Sequence, residues 1–410
     1  MRDLSPAEMT VFRLVEGICR DICSRWGYQE VRTPTIEYLH LFTSAGTLTP
    51  GMLGKVYSFL DWDGWSGERV VLRPDGTIPV ARLYTEGLQG RLARLFYAAN
   101  IFIFEEAGEK TRERWQCGAE LIGAGSAMAD AELIALSLEV LKKLGLKGVE
   151  LRLSHAGLIK ALLVKLGLSP DEQNRMFDRI LDGDAEALAE VSRESPEVGD
   201  TLRPFLSLKG QSPGFLRNQR ALLARSLPEV RPHLDDFLQT VALLDDLGVK
   251  YQINIASGAG FEYYTGIIFQ LFIGKEKVGG GGRYDALIPS MGGGDVPASG
   301  FALYLDRLMN LVKPEVFVKT VPERVLVRVK SGGAVKEAFK AADSLRQAGY
   351  IAELDLDGKK TDLKWIIEVG SEAPVFTMVD AVAKKKIEAS TINEVLKRLE
   401  GKGADKDSPA

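Results

Sequence analysis

Long apolar runs are missing from this sequence. No stretch of about 18 uncharged apolar residues occurs, so a membrane-spanning helix is not expected. The opening segment, MRDLSPAEMT, has no apolar stretch of the secretory-signal kind. Cysteine is scarce, with Cys19, Cys23 and Cys117 the three in 410 residues. So few thiols suggest no disulfide framework and a reducing, cytoplasmic setting. Histidine is equally scarce. His40, His155 and His233 stand far apart in sequence, so no metal-ligand spacing is visible and neither metal nor cofactor is expected. A basic surplus is missing too: 52 Lys and Arg face 56 Asp and Glu, a net charge of −4. Proteins that neutralise many phosphates usually carry excess Lys and Arg, so nucleic acid is not expected as the main partner.

What is present reads as a mixture of helices and strands. Ser5-Pro6-Ala7-Glu8 is a helix start with Ser as cap, Pro in the first turn and Glu three residues on. Phe12, Val15, Cys19, Ile22 and Trp26 follow at helical spacing, and Gly27 ends the run. Cys19 and Cys23, four apart, share one face and read as buried structural thiols. Alternation predicts strands at 28–33, 56–60, 69–72 and 148–154, and a hairpin around 100–123. LRPDGT precedes a helix that Thr77 is expected to cap. Residues 156–247 are almost wholly helical in pattern, as an insertion would be. Strands return at 250–256 and 262–273, VGGGGRYDAL reads as a glycine turn whose glycines 279–282 serve turn geometry and close packing and not a phosphate cradle, and ASGFALYLDRLMNLV runs from strand into helix. Beyond residue 322 strands and helices alternate as in a small α/β domain.

The hairpin raises the chemical question. In NIFIFEEAGEKTRERWQCGAELIG the strand ends in Ile103-Phe104-Glu105-Glu106, where a phosphate-binding arginine would be useful. On the returning strand Gln116 and Glu120, four apart with Gly118 between, share one face. Downstream come Tyr263-Tyr264 and Tyr284. On a strand the first two would point to opposite faces, so one of them is expected in the core. The run Lys384-Lys385-Lys386 reads as a solvated face.

The order helix–strand–Pro, LRPDGT, long hairpin, GFEYYTG, GGGGRYDAL and GFALYLDRL resembles the catalytic core of the histidyl-tRNA synthetases, which are class II synthetases. The likeness covers about residues 5–312, and 323–400 resembles a shortened anticodon-binding domain. It implies an α+β fold: a class II aminoacyl-tRNA synthetase-like antiparallel sheet core with a helical insertion, plus a small C-terminal α/β domain. The expected boundaries are 1–313 for the core, about 156–247 for the insertion, 323–400 for the second domain and 401–410 for a disordered tail. Homodimerisation through about residues 7–34 is implied as well.

Matched residue by residue, the resemblance divides the site in two. Ile103 stands where the family's hairpin strand has arginine, Ala259 where it has a second arginine, and Tyr304 where it has glycine against the adenine. These are degenerate ATP-site positions. The amino-acid end is retained: Asp75 (Glu in the family) and Thr77 for the ammonium group, Gln116 and Glu120 from the hairpin, and Tyr263, Tyr264 and Tyr284 around the imidazole. Arg307 of the last motif remains and is expected to pair with an acid such as Asp306 or Glu120.

Such a chain resembles the regulatory subunits of ATP phosphoribosyltransferase, synthetase relatives without synthetase activity. The resemblance implies a non-enzymatic partner of the short catalytic subunit in the first step of histidine biosynthesis, working in a hetero-octamer with histidine as feedback effector. The alternatives are a divergent histidyl-tRNA synthetase, or a nucleic-acid-binding accessory protein on the same core.

Overall fold

The computed structural model describes residues 3–44, 56–62, 67–104, 112–164, 209–223, 228–255, 263–313, 323–330, 334–359 and 361–401, with 169, 172, 173, 176, 177, 179 and 186 between them. The chain divides into two compact units, Met1–Lys313 and Pro314–Ala410. Of the expected tail, residues 402–410 lie outside the described residues.

The first helix, Pro6–Arg25, begins on the expected capping box. Ser5 N–H donates to Glu8 Oε2 (2.8 Å) while Glu8 N–H donates to Ser5 Oγ (3.3 Å), which satisfies two donors that an uncapped helix would leave open. Its inner face buries Phe12, Val15, Cys19, Ile22 and Cys23. Gly27, at φ 81°, takes the left-handed turn that ends it. All three cysteines are free and buried, and Cys23 and Cys117 are in hydrogen-bonding contact.

The first unit is built on a nine-stranded sheet. Its strands are β1 (Gln29–Glu30), β5 (Ala93–Phe102), β6 (Glu113–Ile122), β7 (Val149–His155), β8 (Lys209–Gly210), β9 (Gln252–Asn254), β10 (Ile267–Ile273), β11 (Glu276–Arg283) and β12 (Ala298–Tyr304). The spatial order is β1-β5-β6-β12-β11-β10-β7-β9-β8. All neighbours are antiparallel except β1 with β5 and β7 with β9. A separate three-stranded sheet orders β2 (Ile36–Tyr38), β4 (Gly67–Leu72) and β3 (Ser58–Trp62). Helices Ala156–Val164, Pro213–Leu223 and Arg231–Asp246 fall within the stretch read as an insertion.

The glycine run is not a turn. Gly279, Gly280, Gly281 and Gly282 all lie in β11, between β10 and β12. A Cβ on Gly281 would overlap the carbonyl oxygen of Gly300, and one on Gly282 would overlap that of Ile267. Close cross-strand approach, not a reversal of the chain, is what excludes side chains here.

The second unit carries a five-stranded mixed sheet in the order β14-β13-β15-β16-β17. Here β13 is Arg324–Val329, β14 Ile351–Leu354, β15 Trp365–Val369, β16 Phe376–Asp380 and β17 Lys385–Ala389. Helices Val335–Gln347 and Ile392–Gly401 accompany it. Trp365, Ile367, Phe376, Met378 and Leu345 are in its core. Lys384, Lys385 and Lys386 are exposed, as the solvated-face reading expected.

Candidate functional site

Strand register builds the site. Gln116, Gly118 and Glu120 of β6 lie opposite Tyr304, Ala302 and Gly300 of β12. The latter two lie opposite Gly280 and Gly282 of β11, which pair with Gln270 and Ile268 of β10. Because paired residues share a face, these positions form one surface with small residues at its centre. Over that surface lies a cavity that Asp75, Thr77, Gln116, Tyr263, Tyr264 and Tyr284 help to line. Tyr304 lines it too, at the position read as the adenine floor. Glu120 is fully buried in this surface and accepts a hydrogen bond from the Tyr284 hydroxyl. The structure thus gathers the seven residues of the expected amino-acid end.

Three expectations are corrected by the geometry. Tyr263 and Tyr264 precede β10 in a turn, so strand alternation does not apply to them, and both line the cavity. Their ring centroids are 5.2 Å apart, and Tyr263 meets Tyr284 edge-on at 5.5 Å. Thr77 is the first residue of the helix Thr77–Gly87 rather than its cap. Asp75 does the capping instead: its Oδ1 accepts from Ile78 N–H at 2.9 Å. Arg307 does pair with an acid, but with neither Asp306 nor Glu120. It bridges to Glu276 at 3.1 Å, donates to the Lys277 carbonyl at 2.7 Å, and lies over the Tyr304 ring. Asp306 turns away to accept from Trp115 N–H.

The electrostatics at this end are acidic. Burial pushes the Asp75 carboxyl up to about 6, against the stabilising pull of three backbone N–H groups. Burial also pushes Glu120 well above the usual carboxylate range; the Tyr284 hydroxyl works against that rise, and the charge of Asp75 adds to it. Glu120 Oε1, Gln116 Oε1 and the Tyr97 hydroxyl are buried and without a hydrogen-bond partner among the described residues. Buried polar atoms of this kind carry a desolvation cost until a partner arrives. Acceptors grouped with two carboxyls suit a cationic group with several N–H donors, such as an ammonium.

Other contributors were not foreseen. Arg73 of the LRPDGT motif is buried and clamps the loop: it donates to Asn100 O (2.7 Å), Thr33 O (2.9 Å) and Pro34 O (3.0 Å). Lys277 also lines the cavity. Tyr97 lies edge to Gly76 and Gly118, where an added Cβ would overlap its ring. Arg283 joins Asp130 and Asp236 on the opposite face, and Asp236 also meets His155 at 3.0 Å. His155 and His233, distant in sequence, come to 5.6 Å between ring centroids. Among the described residues no group of three or more His, Cys, Asp or Glu is arranged to hold a metal ion. Ile103 lies just beyond β5, its N–H donating to Arg112 O. Ala259 lies outside the described residues.

The profile of the histidyl-tRNA synthetase family matches residues 1–308. An ATP phosphoribosyltransferase regulatory subunit from Dehalococcoides mccartyi is 52% identical over 97% of this chain and 97% of its own length. The chain belongs to the histidyl-tRNA synthetase family, among its ATP phosphoribosyltransferase regulatory subunits. A histidine–tRNA ligase from Methanosarcina acetivorans is less similar, 32% identical over 98% of this chain and 97% of its own. Among solved structures, an ATP phosphoribosyltransferase regulatory subunit/histidyl-tRNA synthetase from Bacillus halodurans superposes with a TM-score of 0.73 at 25% identity, covering 88% of this chain and 93% of that one. The class II synthetase-like α+β fold is therefore the fold of this family member. No helix among the described residues is long and apolar enough to cross a membrane.

Proposed function

We propose that this chain is the non-catalytic partner of a short-form ATP phosphoribosyltransferase catalytic subunit, active in the first step of histidine biosynthesis. Its cavity is the histidine sensor of that complex. The observation that carries the reading is the unequal fate of the two ends of one site. At one end Asp75, Thr77, Gln116, Glu120, Tyr263, Tyr264 and Tyr284 are retained around a buried acidic surface. At the other, the resemblance puts Ile103, Ala259 and Tyr304 where the synthetases have two arginines and a glycine. A tyrosine ring fills space that glycine leaves to a ligand, and arginine is what neutralises charge at a reacting phosphate. A histidine sensor needs the first end and not the second.

Recognition follows from donor and acceptor counts. The ammonium of histidine meets Asp75, Thr77 and Gln116, and the imidazole lies among the tyrosines with Glu120 held in orientation by Tyr284. Lys277 offers the ligand carboxylate a positive partner in place of the arginine that Ala259 replaces. A sensor regulates by binding its effector unequally in two states of the assembly. The chain works in the cytoplasm as a homodimer through its core, inside a hetero-octamer with the catalytic chains. The expected organisation into core, insertion, second domain and tail belongs to the same reading.

Reconstitution tests it. The purified chain is mixed with the short catalytic subunit of the same genome, and phosphoribosyl-ATP formation is followed with and without L-histidine. Activity that needs both chains and falls with histidine is the expected result. An inactive mixture whose components elute separately would sink the regulatory reading, and histidine adenylation would then favour a divergent synthetase.

A further inference from the structure

Among the described residues, the helices Ala156–Val164 and Arg231–Asp246 each make a polar contact next to a ring of the cavity. Lys160, on the helix Ala156–Val164, donates from Nζ to the carbonyl oxygen of Tyr264 at 2.8 Å. Asp236, on the helix Arg231–Asp246, accepts from Arg283 Nη1 at 3.1 and 3.0 Å. Arg283 is the residue before Tyr284. The turn bearing Tyr264 and the end of β11 are also tied to each other, since Thr265 N–H donates to Arg283 O at 2.8 Å. Asp236 in turn meets His155 at the end of β7.

The cavity itself is small. Its volume is about 30 Å³, against about 300–1,000 Å³ for pockets that enclose small-molecule ligands. Tyr263, Tyr264 and Tyr284 are buried and in ring contact, so they occupy the space an amino acid would need. Admitting a ligand therefore requires these rings to shift. A shift of the Tyr264 backbone moves the carbonyl that Lys160 holds, and a shift at Tyr284 pulls on Arg283 and the carboxylate of Asp236. Packed elements joined by hydrogen bonds and ion pairs transmit such displacements instead of absorbing them.

Resting on the sensor reading above, we infer that the helices Ala156–Val164 and Arg231–Asp246 are mechanically coupled to the cavity through Lys160 and Asp236, and that an amino acid entering the cavity repositions them. Lys160 is then a positioning residue: it sets the Tyr264 turn without touching the ligand. Coupling of this kind is reciprocal, so whatever fixes these helices also changes the affinity of the cavity.

The test uses the full chain. L-histidine binding is measured by calorimetry for the wild type, Lys160→Met and Lys160→Arg, and amide exchange over residues 231–246 is compared with and without histidine. In the wild type, histidine is expected to change exchange over 231–246 several-fold. Lys160→Met is expected to weaken binding about tenfold and to erase the exchange response, while Lys160→Arg keeps a donor and restores both. Wild-type exchange over 231–246 that ignores bound histidine overturns the inference without reference to any variant. So does a Lys160→Met chain that binds histidine as the wild type does. A wild type that binds no histidine overturns the sensor reading and this inference with it, whereas binding without coupling overturns this inference alone.

Discussion

The hydroxyl of Tyr284 donates to Oε2 of Glu120 across the gap between β11 and β6, which Gly300 leaves open. A Cβ at residue 300 would overlap that carboxylate oxygen, so the contact depends on glycine there. Glu120 Oε1, like Gln116 Oε1, is buried and has no hydrogen-bond partner among the described residues. One carboxylate oxygen is thus fixed and the other is available. Glu120→Gln preserves the shape and removes the ability to ionise against a cationic ligand. A hydrogen bond to a charged group contributes about 1.5–3 kcal/mol, so histidine inhibition of the reconstituted complex should weaken by about 10- to 100-fold. Assembly should be unaffected, because the side chain is fully buried. An inhibition titration beside gel filtration checks both, and unchanged inhibition would remove Glu120 from the sensor.

Asp75 predicts a pH dependence with a definite sign. Its folded-state value of about 6 lies above the ordinary 3.8 because burial penalises the charged form. The fold therefore favours the neutral carboxyl. The associated stability is complete below about pH 3.8 and is lost as pH rises through about 6. Two units at about 1.4 kcal/mol each amount to about 3 kcal/mol. Asp75→Asn keeps an acceptor for Ile78 N–H and does not ionise. Urea midpoints from pH 4 to pH 7 should therefore move in favour of the variant by about 3 kcal/mol. Histidine binding by the wild type should strengthen over the same interval, since an ammonium needs the ionised acid. Parallel stability profiles for the two chains would contradict this.

The legible parts of the sequence were those with local causes. The capping box at Ser5–Glu8 and the left-handed Gly27 are set by residues a few positions apart, and both are present. Gln116 and Glu120 were placed on one face because a central antiparallel strand shows the plain period of two. The glycines of β11 are closely packed as expected, but they were misread as a turn because a glycine run has no periodicity; the packing comes from the approach of Gly300 and Ile267 on other strands. The tyrosine pair was misread because β10 begins at Ile267, after both residues, so alternation had no strand to act on. The partner of Arg307 is Glu276, thirty-one positions away across a hairpin, which no local pattern reveals. Lys160 and Asp236 were hidden in the same way, because their partners are set by tertiary packing.

β11 offers a stability test free of any ligand. A Cβ on Gly281 would overlap the Gly300 carbonyl oxygen and lie 2.7 Å from Phe301 Cα. Both obstacles are backbone of β12, so no side chain can swing aside. Overpacking of this kind typically costs about 1–3 kcal/mol, and a rigid backbone obstacle belongs at the upper end. Gly281→Ala should lower the urea midpoint by that amount with an unchanged slope. A midpoint within error of the wild type would mean that β11 and β12 are less closely apposed than described.

The final prediction concerns what the chain does not catalyse. Amino-acid activation places negative charge on the α-phosphate of ATP, and each preorganised donor there is worth about 10²–10³ in rate. If, as proposed, Ile103 and Ala259 stand at the two arginine positions, the combined loss is about 10⁴–10⁶ for independent action. Tyr304 adds a steric barrier: its ring lines the cavity and is held under Arg307. Histidine-dependent exchange of pyrophosphate into ATP should therefore be undetectable at saturating histidine and ATP. Restoring Ile103→Arg alone should not revive it, because Ala259 and Tyr304 remain. The triple change Ile103→Arg, Ala259→Arg and Tyr304→Gly is the least that could. Exchange by the unaltered chain would show that Lys277 or Arg307 has taken over the phosphate, and the division of the site into a retained end and a disarmed end would fail.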